Sequence, residues 1–556
     1  KTLTAFLWAI DRLVTGAWGP GQTRVLYVSP LKALNNDIRR NLTAPLEEIG
    51  TVFQAAGEGF PELCVQTRSG DTPADERRRM GRRPPEILIT TPESLNILIS
   101  SRQGRAMLAG VATVILDEIH AVVGTKRGTH LITAVERLVL LSGEFQRIAL
   151  SATVKPLAAV AAFVGGFGLR GDPQHPRYEK RKVAVVRSPL KKRCEVRVTF
   201  PSDAGEHPAE GSRWPLLAEA FRRIVREGRS TLLFANSRRT VEKVARLINE
   251  AEPAELAYAH HGSLSREIRL AVEQRLKNGE LRAIVATSSL ELGIDIGELD
   301  RVVLIATPPS ISAAIQRIGR SGHGVGSTSR GLLYPTHGHD VLSAAVCARG
   351  VARQEIEPIK PVECPLDVLA QVIVAMTAVE RWDIDELFTF LRTCAPYHKL
   401  PRRQFDLVLE MLSGRYADTR IRELKPRLFI DRIDNTVHGR EGALRMLYLS
   451  GGTIPDRGYY DLRVEETLSK IGELDEEFVW ERRIGDTFPL GTQVWRIRKV
   501  THNSVEVVPV DARPGIVPFW RAEGMDRDFH FSERIMLLLA ELNGRLDDPT
   551  LAEELR

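Results

Sequence analysis

The sequence of 556 residues is too long for one ordinary domain, and we expect three to five. Hydrophobic residues make up 43% of it and charged residues 27%, which is typical of folded proteins and excludes a disordered chain. The formal net charge of +6 is compatible with a polyanionic partner. No stretch of eighteen or more uncharged apolar residues predicts a transmembrane helix.

The first 190 residues alternate between helical and strand patterns. The opening KTLTAFLWAIDRL repeats its apolar residues with a helical period and carries Asp11, so it predicts a helix rather than a signal peptide. Short apolar runs follow in RVLYVS, EILITT, TVILDE and RIALSAT. Such runs, separated by helical segments, are typical of buried strands in a parallel sheet. We predict an α/β domain over residues 1–190.

The same pattern returns after a basic region, RYEKRK followed by SPLKKRCEV. The runs STLLFANS, AELAYAHHG, LRAIVATS and RVVLIATPP predict further buried strands with helices between them. A second α/β domain is therefore expected over residues 191–355, in tandem with the first.

The pattern then changes to amphipathic helices, PLDVLAQVIVAMTAVE, DIDELFTFLRTC and PRRQFDLVLEMLSG, and to a hairpin, RLFIDRIDNTVHGR, with Asn435 near its turn. Three helices and a hairpin predict a winged helix over residues 356–450. From 451 to 556 the segments shorten, and FVWERRIGDTF and TQVWRIRKVTHNSVEVVPV predict β-hairpins. This β-rich domain ends in a helix, and we expect it to be incomplete.

The five cysteines are scattered and form no C-x-x-C pair, which argues against a zinc site or an iron–sulfur cluster. A reducing, cytoplasmic compartment is the simplest interpretation. The cysteines are Cys64, Cys194, Cys347, Cys364 and Cys394.

The stretch VATVILDEIHAVV ends an apolar run on Asp117 and Glu118, with His120 two residues later. In an open α/β sheet, ligands bind at the carboxyl ends of the strands. Because adjacent carboxylates repel, we expect a divalent cation bound to phosphate, with Mg²⁺ on Asp117 and the attacking water polarised by Glu118. The alternative is a strand that runs out into solvent with two acids.

Two further motifs favour a nucleotide site. SAT, which is Ser151 to Thr153, follows the next strand, although by itself it is more typical of a small polar turn. QRIGRSGH, Gln316 to His323, contains two arginines, which are suited to binding phosphate. The alternative interpretation of this motif is a basic surface loop. The chain begins with Lys1 and Thr2 and continues into a helix, as the end of a phosphate-binding loop G-x-x-x-x-G-K-S/T would, so we expect a chain that starts within that loop.

An ordered series of motifs over roughly residues 1–325 resembles the core of superfamily 2 helicases. The motifs are, in chain order, KT, SPLKAL, TTPESL, DEIH, SAT, LLFANSRR, ATSSLELGID and QRIGRSGH. Four segments are similar in sequence to the Lhr (large helicase-related) family. They are SPLKALNNDIRRNL, TPPSISAAIQRIGRSGH, GTQVWRI and PGIVPFW. The resemblance implies an α/β fold of two tandem RecA-like parallel-sheet domains, followed by a winged helix and a β-rich carboxy-terminal domain.

The resemblance also implies a nucleic-acid-stimulated ATPase that uses ATP and Mg²⁺ and moves 3′ to 5′ on single-stranded DNA. It implies unwinding of DNA or RNA:DNA duplexes with a 3′ tail, and DNA repair at the nucleoid in the cytoplasm. Carried over by position, Lys1 and Thr2 would contact phosphate and Mg²⁺, and Asp295 would reach the ribose. Asp117 takes the Walker B metal role, and Glu118 activates the water.

The coupling of hydrolysis to strand movement is assigned by the resemblance to His120, Ser151 and Thr153. Gln316 would position the water or phosphate, with Arg320 as the arginine finger and Arg317 as a second candidate. Most superfamily 2 cores end this motif in arginine, where this chain has His323, although histidine is usual in Lhr-like sequences. An adenine-recognising glutamine motif is not visible, so the base preference is not readable.

The motifs outside the ATP site are expected to hold the sugar–phosphate backbone, which positions a strand without reading its sequence. The candidates are Lys32, Thr91, Arg238, Arg239, His261, Ser263 and Thr287. The alternative interpretation of Thr91 is a cap of the helix that begins at Pro92. The alternative interpretation of the two arginines is a pair of surface charges at the start of a helix. The arginine run ERRRMGRRPPE is at least as typical of a solvated loop.

Trp520 lies in RPGIVPFWR, between turn-forming residues, and is our candidate for stacking on a base. A packed barrel end is an equally good alternative. For the whole chain, the alternative function is a nucleic-acid-binding scaffold without ATP turnover, since the glycines of the phosphate-binding loop are absent from this chain. A double-strand translocase on the same core is a third interpretation, which the appended domains disfavour.

Overall fold

The computed structural model describes two compact units, each of which combines two separate stretches of the chain. The first unit is Lys1–Val186 with Pro358–Ile454, and the second is Arg187–Glu357 with Pro455–Arg556. The residues that the structure describes are 2–30, 32–171, 176–187, 193–201, 213–250, 252–291, 299–321, 328–415, 425–449, 451–454, 458–491, 493–501, 503–511, 517–518, 527–548 and 550.

The first stretch of the first unit contains a parallel sheet with the order β2-β3-β1-β4-β5. The three central strands are buried along their whole length, because helices cover both faces of the sheet. All four predicted strands are confirmed. The strands are β1 (Val25–Val28), β2 (Val65–Arg68), β3 (Ile87–Thr90), β4 (Thr113–Leu116) and β5 (Gln146–Ala149).

Two apolar clusters lie on the opposite faces of this sheet, because alternate side chains of a strand point to opposite sides. On β1, Val25 and Tyr27 join one cluster, whereas Leu26 and Val28 join the other. The helices are α1 (Thr2–Val14), α2 (Lys32–Ala55), α3 (Ala74–Arg82), α4 (Pro92–Ile99), α5 (Arg102–Leu108), α6 (Lys126–Ser142) and α7 (Leu157–Gly165). A hairpin follows, made of β6 (Phe167–Arg170) and β7 (Arg177–Lys180).

The second unit contains another parallel sheet, with the order β10-β11-β9-β12-β13-β8. It includes the four predicted strands and gains β8 and β13, which pair with each other. The strands are β8 (Cys194–Val198), β9 (Thr231–Ala235), β10 (Ala257–His260), β11 (Ala283–Ala286), β12 (Arg301–Ile305) and β13 (Ser329–Tyr334). The helices are α8 (Trp214–Glu227), α9 (Arg238–Asn249), α10 (Arg266–Lys277), α11 (Ile311–Ile318) and α12 (Gly338–Arg353).

The predicted winged helix lies in the first unit, and its hairpin turns at Asn435, whose φ is +53°. Asparagine tolerates this left-handed backbone better than most residues do. The helices are α13 (Leu366–Thr377), α14 (Ile384–Leu391), α15 (Arg402–Leu412) and α16 (Ala443–Leu449). The antiparallel strands are β14 (Trp382–Asp383), β15 (Leu428–Asp431) and β16 (Thr436–Gly439).

The β-rich stretch of the second unit forms a sheet with the order β18-β17-β21-β20-β19. The predicted hairpin over TQVWRIRKVTHNSVEVVPV is confirmed, but the one over FVWERRIGDTF is wrong at its start. There Asp475 caps a short helix by accepting a hydrogen bond from the Glu477 amide, so the segment begins as a helix. The elements are β17 (Tyr459–Val464), β18 (Lys470–Asp475), α17 (Glu476–Trp480), β19 (Thr487–Leu490), β20 (Gln493–Val500), β21 (Ser504–Pro509) and α18 (Phe529–Asn543).

The predicted fold class is confirmed, with two parallel α/β sheets, a winged helix and a β-rich sheet. The four predicted domains are not four separate units, because each unit joins one α/β stretch to one later stretch. The predicted domain limits themselves stay predictions.

Candidate active site and nucleic-acid-binding residues

The predicted acidic strand end lies directly after β4. Asp117 is 8% exposed, and both of its carboxylate oxygens accept hydrogen bonds. Its Oδ1 accepts from the Glu118 amide at 2.8 Å, and its Oδ2 accepts from the Tyr27 hydroxyl on β1. Burial, reinforced by the Asp117 charge, raises the pKa of Tyr27 far above its usual range, so the phenol stays protonated and donates. Two donors therefore fix the orientation of this carboxylate.

The turn after Asp117 brings the DEIH and SAT motifs together. Glu118 has a left-handed backbone with φ of +48°, which is uncommon for a residue other than glycine. His120 Nδ1 lies 3.3 Å from Glu118 Oε2 and accepts a hydrogen bond from the Ala152 amide at 3.2 Å. Ser151 is half-buried and Thr153 is exposed. This hydrogen bond connects His120 to the SAT backbone at Ala152, and the coupling role of His120, Ser151 and Thr153 stays a prediction.

The donor chemistry of this strand end fits Mg²⁺. Each oxygen of a carboxylate has two lone pairs, so the hydrogen bonds on Asp117 leave a lone pair on either oxygen. Mg²⁺ prefers oxygen ligands and is commonly held by one or two carboxylates together with the phosphates of a nucleotide. Within the described ranges, no cluster of three or more His, Cys, Asp and Glu side chains forms a metal cage of its own.

The described part of the QRIGRSGH motif, Gln316 to Ser321, lies at the end of α11 in the second unit. Gln316 and Arg320 are half-buried, whereas Arg317 is 3% exposed. The Arg317 guanidinium bonds to Glu291 Oε2 at 3.1 Å and to Asn236 Oδ1 at 2.8 Å. Both of these contacts lie inside its own unit, and the role of Arg317 as a second arginine finger stays a prediction. Arg320 stays as the predicted finger.

Glu291 is the buried partner of Arg317. Burial raises the pKa of this carboxyl group, and the Arg317 guanidinium opposes that change. The Arg317 guanidinium also lies 5.4 Å from the centre of the Phe234 ring. These contacts hold Arg317 of α11 against the second sheet.

In the first unit, Thr91 is used by its own helix. It is almost completely buried, and its hydroxyl caps α4 by accepting a hydrogen bond from the Ser94 amide at 3.3 Å. The alternative interpretation of Thr91 as a helix cap is therefore the one that the structure supports. Lys32 begins α2, and its side chain lies outside the described residues.

In the second unit, the predicted nucleic-acid contacts fall into two groups. Arg239 is exposed and Thr287 is half-buried, so both stay candidates. His261 is 0% exposed and Ser263 is 1% exposed, so both side chains are covered in this structure, and their contact with nucleic acid stays a prediction. Arg238 is half-buried and donates to Ser263 Oγ at 2.5 Å.

The burial of His261 comes from the β-rich stretch of the same unit. His261 Nε2 lies 2.7 Å from Glu242 Oε1, and the same carboxylate accepts hydrogen bonds from the Gly491 amide at 3.0 and 3.1 Å. The Ser263 carbonyl accepts from the Glu473 amide at 2.8 Å. The segment after β10 therefore contacts the β-rich stretch through the Ser263 carbonyl, and through Glu242 as the partner of His261.

The chain matches three protein-family models in succession. The DEAD/DEAH box helicase model covers residues 1–160, and the helicase conserved C-terminal domain model covers residues 216–324. The winged helix domain model of the large helicase-related protein covers residues 349–517, and so extends into the predicted β-rich domain.

Two curated relatives resemble the chain along nearly its whole length. The Lhr helicase/uracil glycosylase of Escherichia coli is 41% identical over 100% of this chain and 39% of the relative. The ATP-dependent helicase Lhr-Core protein 2 of Thermococcus barophilus is 38% identical over 99% of this chain and 63% of the relative. The chain belongs to the Lhr helicase family. It spans less than two thirds of the length of these Lhr relatives.

One solved structure agrees with the Lhr assignment, and a second shares the fold. The helicase Lhr of Mycobacterium smegmatis, solved with single-stranded DNA and AMP-PNP, matches with a TM-score of 0.73 and 43% identity over 88% of this chain and 62% of that chain. The helicase MrfA bound to DNA has a TM-score of 0.63 at 19% identity, covering 88% of this chain and 65% of that chain, and shares the fold. In the part of the Lhr chain that the structure describes, no helix is long and apolar enough to cross a membrane.

Three of the predicted site residues of the Lhr chain, Lys1, Asp295 and Trp520, lie outside the described residues. Two residues at the candidate sites were missed. Tyr27 looks like an apolar member of a buried strand, and its hydroxyl gives no signal in the sequence. Glu242 looks like an ordinary helix-surface acid, although it follows Val241 on the buried side of α9.

Proposed function

We propose that this Lhr chain is the motor part of an ATP-dependent helicase that moves 3′ to 5′ on single-stranded DNA. The observation that carries the proposal is the hydrogen bond between His120 and the Ala152 amide. It connects the DEIH motif at the end of β4 to the SAT motif after β5. A movement of the acids therefore alters the position of the SAT backbone. The similarity to the Mycobacterium smegmatis structure with single-stranded DNA and AMP-PNP supports the same function.

At the nucleotide, Asp117 and Thr2 would hold Mg²⁺ together with phosphate oxygens, and Lys1 would contact the β- and γ-phosphates. Bound Mg²⁺ would neutralise charge on those phosphates. Glu118 accepts the proton of the attacking water. His120 transmits the resulting change at Glu118 to Ser151 and Thr153. Gln316 positions the water or phosphate, Arg320 stabilises the transition state, and Asp295 contacts the ribose.

Along the nucleic acid, we propose backbone contacts from Lys32, Arg239 and Thr287, and base stacking by Trp520. Contacts of this kind are independent of sequence, as a translocating enzyme requires. The proposed substrates are DNA duplexes and RNA:DNA hybrids with a 3′ single-stranded tail. Repair of DNA is the proposed setting, at the nucleoid in the cytoplasm, because the proposed substrate lies there.

The test of ATP turnover is a hydrolysis assay of the full-length protein without nucleic acid and with single-stranded DNA, single-stranded RNA or duplex DNA. We expect strong stimulation by single-stranded DNA. Glu118→Gln keeps the size of the side chain but removes the base, and we expect it to lower kcat at least about 100-fold. Glu179→Gln removes an exposed carboxylate whose partner is the exposed Arg170, and serves as the matched control.

The test of polarity and substrate uses duplexes that differ only in the tail or in one strand. We expect unwinding with a 3′ tail and none with a 5′ tail, for both DNA duplexes and RNA:DNA hybrids. Tight DNA binding with no turnover above that of Glu118→Gln would instead support the nucleic-acid-binding scaffold. Unwinding from 5′ tails alone would contradict the proposed polarity.

A further inference from the structure

Tyr27 is the residue that connects Asp117 to the first helix of the chain. It is the third residue of β1, it is completely buried, and its hydroxyl donates to Asp117 Oδ2. On the other side, its ring stacks on that of Phe6 in α1, with the ring centres 5.5 Å apart and an angle of 23° between the planes. Phe6 is also buried, at 1% exposure.

The position of Phe6 matters because α1 begins at Thr2. Residues four apart lie on the same face of a helix, so Phe6 lies one turn beyond Thr2 on that face. The face of α1 that carries Thr2 is therefore connected, through Phe6 and Tyr27, to the carboxylate of Asp117.

A metal that takes a single protein carboxylate depends on the orientation of that carboxylate. Mg²⁺ requires nearly ideal octahedral geometry, and partners that orient its ligands are commonly worth 10- to 100-fold in affinity or activity. The Glu118 amide is a backbone donor and cannot be replaced by side-chain substitution. The Tyr27 hydroxyl is the side-chain donor at Oδ2.

We propose that Tyr27 is a positioning residue for the metal site: its hydroxyl holds the Asp117 carboxylate in the orientation that nucleotide-bound Mg²⁺ needs, and its ring fixes that carboxylate relative to α1. The inference rests on the proposed ATP-dependent function for its site. Tyr27 does not touch the nucleotide in this proposal.

The test is Tyr27→Phe in the full-length protein, because this change keeps the ring against Phe6 and removes only the hydroxyl. We measure the affinity of a fluorescent ADP analogue over a range of Mg²⁺ concentrations and in EDTA. In EDTA, we expect Tyr27→Phe to bind the ADP analogue with the affinity of the wild type. The Mg²⁺ concentration that gives half of the Mg²⁺-dependent gain in affinity should be 10- to 100-fold higher than for the wild type. In turnover, kcat falls about tenfold or more, and the KM for ATP at saturating Mg²⁺ stays within about threefold.

The matched control is Tyr397→Phe. Tyr397 is also completely buried in the first unit, and its hydroxyl bonds to the Pro365 carbonyl at 3.0 Å in the winged helix. We expect this variant to keep the Mg²⁺ requirement of the wild type. A loss of Mg²⁺ response in both variants would assign the effect to packing and overturn the inference.

A Tyr27→Phe protein with the wild-type Mg²⁺ requirement would also overturn it. If Tyr27→Phe does not fold, 3-fluorotyrosine at position 27 gives a ¹⁹F signal that must shift with Mg²⁺·ADP and not with ADP in EDTA. The ADP measurements need no turnover. A wild type that binds Mg²⁺·ADP without hydrolysing ATP would therefore contradict the proposed function and still test Tyr27.

Discussion

Arg317 and Arg320 lie three residues apart in one motif, but their surroundings differ. Arg317 falls on the face of α11 that also buries Ala313, Ala314 and Ile318. A guanidinium at 3% exposure must be paired, and Glu291 and Asn236 supply its partners. Arg320 follows α11 and is half-buried, so it stays the better candidate for contact with a phosphate.

This difference predicts opposite effects for two matched substitutions. Arg317→Gln leaves the Glu291 carboxyl group buried without its guanidinium, and we expect it to lower the free energy of unfolding by about 3–5 kcal/mol. Arg320→Gln is expected to leave the melting temperature within about 2 °C of the wild type and to lower kcat by about 10³. Thermal unfolding and the steady-state ATPase rate measure the two effects.

The partner of Arg317 supplies the control. In the double variant Arg317→Gln/Glu291→Gln the buried charge is gone, so part of the lost stability should return. An Arg317→Gln protein that melts like the wild type but hydrolyses ATP as slowly as Arg320→Gln would show that Arg317 acts at the nucleotide.

At the scale of elements, the loop after β10 buries two polar side chains and exposes the glycine between them. His261 and Ser263 are buried, whereas Gly262 between them is exposed. A Cβ atom at Gly262 would meet no atom of the protein within 4 Å. Nucleic acid that passes this loop would approach the backbone at Gly262.

This arrangement predicts that Gly262→Val keeps the stability of the protein and weakens the binding of single-stranded DNA about tenfold, because a side chain at this point blocks close approach to the backbone. Fluorescence anisotropy with a labelled oligonucleotide measures the affinity. Gly338→Val is the matched control, since Gly338 is exposed and a Cβ there also meets no atom within 4 Å. Equal affinities for the two variants would show that DNA does not approach the backbone at Gly262.

The sequence predicts local features well and distant ones poorly. The strand that comes directly before Asp117 is predictable, because its apolar run and the acids that follow it are adjacent along the chain. The burial of His261 and Ser263 is not predictable from their own segment, since their partners are distant: Glu242, which also binds the Gly491 amide, faces His261, and the Glu473 amide bonds to the Ser263 carbonyl. The burial of Arg317 could have been predicted, because it falls on the apolar face of the helical pattern of α11.

At the scale of the whole molecule, each unit is built from two stretches that are separated in the sequence. In the first unit, the hairpin of β6 and β7 packs on the winged helix. Phe167 stacks on His398, with ring centres 3.6 Å apart and planes within 8°, and its amide donates to the Thr393 carbonyl. Tyr178 donates to the Thr389 carbonyl at 3.1 Å. The first sheet and the winged helix should therefore behave as one cooperative unit.

Truncation of the stacking ring tests this cooperation. Phe167→Ala removes an aromatic pair and its apolar contact, and we expect the α14 amides to exchange hydrogen about tenfold faster, which corresponds to about 1.4 kcal/mol. Amides of β9 and β12 in the second unit should keep their exchange rates. Leu169→Ala lies in the same hairpin at a side chain that is 42% exposed, and should leave α14 unchanged. If α14 keeps its wild-type exchange in Phe167→Ala, the winged helix is stable without the hairpin, and the two stretches of the first unit fold independently.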